Sequence, residues 1–325
     1  HGLTLPVYRF WSSDLTEPSI KKALQNLAPA AQFEGLHKSA MLRAQLDWLT
    51  GINFSRAASL KTHKKLNIGR VISATLKIIV DREHEIRNFV PEDLFELRVG
   101  FQAKNGAYEG VCLLPPDGKQ SRTKDRKAAE DALSKIGKDG VIKDTKREEK
   151  KIKAPTLYSI TELQKDGAKY FGYSAAKTES IAQSLYEKEY TSYPRAECRF
   201  LPTAMIPELP KHLKVLEQTP LRGEAAKITE KRIEEVTATK DYVDDAKLTD
   251  HHAIIPTMEI IKQDLKVIPE SEMKILSLCA NRLLCATGEK HIYNSTKAEL
   301  TCNEIVFKVS GKEVWKNGWK EFDDF

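Results

Sequence analysis

Thr191-Ser192-Tyr193-Pro194-Arg195-Ala196-Glu197-Cys198-Arg199-Phe200-Leu201-Pro202 is the stretch that decides how this chain is read. It sets a phenol, two guanidiniums and a carboxylate in a segment bracketed by prolines. Those residue types suit phosphoryl transfer. A tyrosine hydroxyl can attack a phosphodiester and keep the phosphate covalently, while a neighbouring arginine holds the non-bridging oxygens and stabilises the added charge of the transition state. Tyr193 and Arg195 would be that pair. Taken alone, the string has a plainer meaning: a tyrosine beside a proline is usually a packed loop residue, and Glu197 with Arg199 reads as a local ion pair.

Upstream of it the chain reads as helical. Ser159 opens a helix with Ile160, Leu163 and Ala168 on one side, Gly172 breaks the pattern, and Ser174 caps a second helix with Ile181, Ala182 and Leu185 inward. Two short helices around a glycine turn build a core more often than they read DNA. Downstream, Asp250-His251-His252-Ala253-Ile254-Ile255-Pro256-Thr257 places two imidazoles ahead of an apolar turn. A histidine here could donate to a phosphate oxygen or move protons near neutral pH. The alternative is a pair of turn histidines, one buried and one exposed. Adjacent histidines diverge, so they make poor metal ligands.

Further out, Ser13, Asp14 or Thr16 caps a helix from Ile20 to Leu27, with Pro18 in its first turn. A second helix runs from Leu36 to Leu49, with Gly51 placed to end it. Arg43 and Asp47 lie four residues apart on one face of it, the spacing of a surface salt bridge. An apolar run, Val71 to Val80, follows. The pattern changes at Phe89-Val90-Pro91, and Leu94 to Val99 alternates like a strand. Residues 115 to 153, with the charged run Lys143 to Lys153, read as loops, a helix and a mobile linker approach. Lys297 to Val309 and Lys312 to Trp315 alternate like a hairpin turning at Ser310-Gly311.

A chain of 325 residues suggests two or three domains. With 52 Lys and Arg against 46 Asp and Glu, its charge of +6 tolerates an anionic partner without proving one. The five cysteines are odd in number and never spaced Cys-x-x-Cys, which points away from a disulfide framework or zinc ribbon and toward a reducing compartment. No apolar run approaches the roughly 18 residues of a membrane helix. The opening His1-Gly2, without Met, fits a piece of a longer protein.

The motifs then converge. Leu157-Tyr158-Ser159-Ile160-Thr161-Glu162-Leu163-Gln164, Phe171-Gly172-Tyr173-Ser174-Ala175, Ile181-Ala182-Gln183-Ser184-Leu185-Tyr186-Glu187 and Ser192-Tyr193-Pro194-Arg195 follow one another in order. Together they resemble the active-site domain of the type IA DNA topoisomerases. His251 to Thr257 is similar to that family's second signature. Ala44 to Ala57, Ile68-Gly69-Arg70-Val71 and Val80 to Ile86 resemble its DNA-gate domain. Pro194 and Cys198 resemble the topoisomerase III branch. The family often has Gln where this chain has Ile72, and Thr or Ser and then Asp where it has Ala196 and Glu197.

The resemblance implies an α+β multi-domain, toroidal core: a helical DNA-gate segment at 1–90, a β-rich arm at 91–153 and 293–325, and the tyrosine domain at 154–292. It implies Tyr193 as the nucleophile that leaves a 5′-phosphotyrosine, Arg195 and His251 on the phosphate, and Glu197 orienting Arg195. It further implies Arg43, Asp47, Asn53, Ser55, Arg56, Gly69, Arg70 and Ser73 along a single-strand groove, with Arg199 also a DNA contact. The activity expected of the parent is ATP-independent relaxation or decatenation, in a cytoplasmic, nucleoid-associated monomer acting preferentially on single-stranded DNA. The family holds Mg²⁺ in an acidic toprim domain. No such acidic cluster appears here, and Asp244-Asp245 lacks the spacing, so this chain is expected to bind no metal and to be inactive alone. The alternative is a non-catalytic single-stranded DNA-binding module. A relaxase would want histidines separated by one residue, and a tyrosine recombinase a C-terminal tyrosine; neither is here.

Overall fold

In the computed structural model of the chain, which describes residues 5–12, 17–114, 118–217, 240–262, 264–323 and 325, the apolar run that starts at Leu36 does not stop at Gly51. After β1 (Tyr8–Arg9), α1 (Glu17–Gln25) and β2 (Ala28–Pro29), helix α2 spans Glu34–Thr62 and ends at His63 in a left-handed conformation, φ 53°. The caps expected for the first helix lie outside the described residues. Glycine inside a helix costs only about 1 kcal/mol against alanine, and the chain returning along α2 needs its last turns as a template. Ser55 Oγ accepts from the Ile68 N–H at 2.8 Å and donates to the Ile68 carbonyl at 3.2 Å. Ser59, one turn on, does the same with Leu66 at 3.0 and 3.3 Å. Helix α3 (Arg70–Arg87) then starts at extended Gly69, whose N–H donates to Ser73 Oγ at 3.3 Å. Neither α2 nor α3 has a buried residue.

The described chain divides into two compact units. One comprises His1–Phe10, Asn26–Phe95 and Thr123–Arg126; the other comprises Trp11–Gln25, Glu96–Arg122 and Lys127–Phe325. The second holds an antiparallel sheet of β3 (Arg98–Ala103), β4 (Gly106–Cys112), β5 (Val141–Ile152), β6 (His291–Cys302) and β7 (Ile305–Lys316), in the order β3-β4-β7-β6-β5. Cys112, Leu114, Leu300, Cys302 and Phe307, with Ala132 of α4 (Arg126–Ser134), form its small core.

Two further segments depart from expectation. The segment anticipated as a mobile linker is the twelve-residue strand β5, paired with β6 from Val141↔Thr301 to Ile152↔His291. Its charges hid it because both its faces are exposed, so no apolar alternation was needed. The hairpin turns at Asn303-Glu304, not at Ser310-Gly311, which sit inside β7 opposite Lys297 and Thr296. Asn303 takes φ 54°, a conformation that asparagine tolerates better than most residues.

The remaining helices build the main core. Ser159 caps α5 (Ile160–Phe171), accepting from the Glu162 N–H, and Gly172 ends it at φ 66°. Ser174 caps α6 (Ala175–Glu187) through the Lys177 N–H. Helix α7 (Leu209–Glu217) buries Leu209, Leu213 and Leu216, and α8 (Glu270–Thr287) buries twelve of its eighteen residues. α5 and α6 approach so closely at Gly167 that a Cβ there would lie 2.7 Å from Thr178 Oγ1. Across α5 and α8, Asp166 accepts from Arg282 at 2.5 Å and from the Tyr158 hydroxyl at 2.6 Å, with the Arg282 guanidinium 4.1 Å above the Tyr158 ring. All five cysteines are free and buried, and burial pushes the Cys279 thiol up to about 12. No helix among the described residues is long and apolar enough to cross a membrane.

Candidate active site

Tyr193 is fixed by what surrounds its neighbours. Ser192, buried, donates its hydroxyl to the Ala253 carbonyl at 3.0 Å and accepts from the Ile255 N–H at 3.0 Å, while its own N–H reaches the Ile255 carbonyl at 2.9 Å. The Thr257 N–H reaches the Tyr190 carbonyl and the Ala253 N–H the Phe200 carbonyl, at 2.9 and 3.0 Å. The tyrosine string and the histidine string, far apart in sequence, are thus sewn edge to edge, and the Ile160 N–H ties Ala196 to the start of α5 at 2.8 Å. Backbone groups buried this way must find partners, so the clamp leaves Tyr193 little freedom.

The rings follow from the clamp. The Tyr193 and His251 ring centroids are 4.3 Å apart, tilted 36°. Tyr186 of α6 meets Tyr193 edge-on at 5.4 Å, and Trp11 stacks on His251 at 5.2 Å with 28° between planes. Burial lowers the His251 pKa; nearby Asp250 raises it and His252 lowers it further. Its Nδ1 is buried without a hydrogen-bond partner. His252 is buried, with Nδ1 2.8 Å from the Ala253 carbonyl. Arg195 is exposed, and its Nε bonds Glu179 Oε1 at 2.9 Å. Glu179, and then Tyr193, hold its guanidinium firmly protonated.

The structure thus brings Tyr193, Arg195 and His251 together. The carboxylate that grips Arg195 is Glu179 of α6, whereas Glu197 accepts from Thr161 Oγ1 of α5 at 3.2 Å. Arg199 is half-buried, with its Nε unpartnered. Glu179 and Trp11 escaped the sequence reading, and Tyr186 entered it only inside a family motif, with no role given. Glu179 and Tyr186 are seven apart, two helical turns, and so share a face of α6; that spacing was a usable signal. Trp11 gave none.

The expected groove residues lie in the first unit, on α2 and α3. Arg43 and Arg70, with Gly35, Lys38, Ser39, Leu42 and Leu46, line an open cleft of about 750 Å³. Asp47 bonds Arg70 at 2.8 Å rather than Arg43, which acts on it only through space. Arg56 lines a second cleft of about 440 Å³ with Ser59, Leu60, His63, Lys64 and Lys65. Asn53 donates to the Leu49 carbonyl at 2.9 Å. Ser55, Gly69 and Ser73 are engaged in the returning chain and the start of α3. Among the described residues no group of three or more His, Cys, Asp or Glu could hold a metal ion.

The family model described as DNA topoisomerase matches residues 31–324. The chain belongs to the DNA topoisomerase family. Within it, the chain is 38% identical to DNA topoisomerase 3 of Bacillus licheniformis, over 99% of this chain and 43% of that protein. It is 36% identical to DNA topoisomerase 3 of Bacillus subtilis, over 98% of this chain and 43% of that protein. The chain therefore spans less than half the length of these topoisomerases. Full-length topoisomerase I of Thermotoga maritima shares the fold, with a TM-score of 0.72 at 21% identity over 98% of this chain and 50% of that one. The α+β topoisomerase core and the likeness to the topoisomerase III branch stand on these matches.

Proposed function

We propose that this chain carries the cleavage tyrosine of a type IA topoisomerase, and that Tyr193 attacks a phosphodiester of single-stranded DNA. The phenol gives up its proton as its oxygen bonds to phosphorus, the P–O3′ bond breaks, and the departing 3′ oxygen takes up one proton, so the step is neutral in protons. The product is a 5′-phosphotyrosine, and the reverse transfer reseals the strand, so the energy of the broken bond is retained and no ATP is consumed. Arg195, braced by Glu179, grips the non-bridging oxygens, and His251 adds a donor from beside the Tyr193 ring. The single observation that supports this most is the meeting of these three side chains on one clamp built by Ser192.

The clefts lined by Arg43, Arg70 and Arg56 supply cationic contacts for a flexible strand. Arg199 adds a further one beside the tyrosine string. The four-part division into gate, arm and tyrosine domain, the preference for single strands, monomeric association and placement at the nucleoid belong to the same reading. The described residues offer no ligand set for the Mg²⁺ that the resemblance implies.

The test uses a protein carrying this chain at the length of its relatives. Incubated with an end-labelled single strand and run on a denaturing gel, it should form a covalent adduct that disappears in Tyr193→Phe, which removes the attacking oxygen and little else. An adduct that persists in Tyr193→Phe would place the nucleophile elsewhere.

A further inference from the structure

The ring of His251 is held from two sides. The Tyr193 ring centroid lies 4.3 Å from it, tilted by 36°, and that of Trp11 5.2 Å from it, stacked at 28°. The imidazole thus packs against both rings, with the indole stacked on it and the phenol tilted against it. Trp11 comes from a distant part of the sequence, yet its Nε1 donates to the carbonyl of Asp250 at 2.8 Å. That residue immediately precedes His251, so the indole is anchored to the backbone that carries the ring it covers. Flat rings packed in this way attract one another beyond the area they bury. Neither feature is needed to build the core, since Trp11 lies outside the main cluster of buried residues.

We propose that Trp11 is a positioning residue for His251: by stacking on the imidazole and bonding the Asp250 carbonyl, it holds the ring at the Tyr193 site and keeps water from Nδ1. The proposal rests on the reading of His251 as a phosphate contact, and gives that contact its orientation. Without the indole, the ring would lose one face of its pocket and could swing toward solvent. The titratable groups facing it are Asp250, His252 and Tyr193, with Arg195 beside Tyr193, and none of these is altered by changing Trp11.

The experiment is a pH titration of the His251 imidazole by NMR, in this chain labelled at histidine. The unmodified chain should titrate below the ordinary imidazole value of about 6.5, with ring-current-shifted signals. Trp11→Ala should move the midpoint up toward that value and remove much of the ring-current shift. Trp11→Phe, which keeps a ring but cannot donate to Asp250, should fall between the two. The methyl signals of Leu163, buried in the helical core, report whether each variant is folded. A folded Trp11→Ala chain with the midpoint and ring signals of the unmodified chain would overturn the proposal.

Binding of a short oligothymidylate separates this from the broader reading. If Trp11→Ala shifts the His251 titration but His251→Ala binds the oligonucleotide with unchanged affinity and pH dependence, the stack stands and the phosphate contact falls. If His251→Ala weakens binding while Trp11→Ala changes neither titration nor affinity, the contact stands and the stack falls.

Discussion

Helices α8 and α2 have similar apolar content and opposite surroundings. α8 buries twelve of eighteen residues in the helical core, whereas α2 buries none of twenty-nine and leaves Leu42, Leu46, Trp48, Phe54 and Leu60 more than half exposed. Apolar composition says that a helix gains by being covered; it does not say by what. The difference also separates two kinds of site. The Tyr193 site is prebuilt, because its backbone is sewn into a filled core. The clefts of α2 and α3 rest on a few serine hydroxyls and the exposed Asp47–Arg70 pair.

The largest expected effect follows directly. In hydrogen exchange on this chain, central amides of α8 should be protected on the order of a thousandfold more than those of α2, since opening α2 uncovers far less apolar surface than opening α8. Equal protection would show that α2 is covered in solution and would erase the contrast.

Within the cored unit, Asp166→Asn should cost about 3 kcal/mol in urea unfolding, because it leaves the largely buried Arg282 charge without its counter-ion. A loss no larger than that of a surface pair would mean water reaches this cluster.

A smaller effect is expected at the α5–α6 contact. Gly167→Ala drives a Cβ against Thr178, and the cost of overpacking, offset in part by better helix propensity, should leave a net loss of about 1 kcal/mol. Adding Thr178→Ala should recover most of it. No recovery would put the cost in the backbone rather than in that contact.

The smallest effect is on pH dependence. The folded state depresses the His251 pKa by burial, so the unfolded chain binds the proton more readily. The stability that this neutral histidine contributes is full above the ordinary value of about 6.5 and is lost as pH falls through the lower folded value. His251→Gln should flatten that acid-side slope in urea melts taken at stepped pH. An unchanged slope would assign it to other groups.

What the sequence made legible was local chemistry. Ser159, Gly172 and Ser174 mark helix ends because a hydroxyl accepting an N–H, or a residue at positive φ, needs only its own neighbours. Tyr193, Arg195 and His251 could be picked out by residue type and resemblance. What brings them together could not: the Ser192 bridge to Ala253 and Ile255, the Glu179 brace and the Trp11 stack all join residues whose distance along the chain carries no periodic signal. Gly51 and Ser310-Gly311 misled for the converse reason. A residue that permits a turn does not require one, and here the pairing of Ser55 with Ile68 and of β6 with β7 decides.

The charged strand β5 has a colloidal consequence. It is the outer strand of its sheet, so one row of its N–H and C=O groups faces outward, an open template for another strand. Five basic and three acidic side chains occupy its twelve positions. Two copies meeting antiparallel in the central register would set Lys143 against Lys150, Asp144 against Glu149 and Lys146 against Arg147, like against like, at a separation well inside the Debye length of dilute buffer. Among the described residues nothing buries this strand, so its edge in that register is guarded by repulsion, and concentrated salt would weaken that guard first.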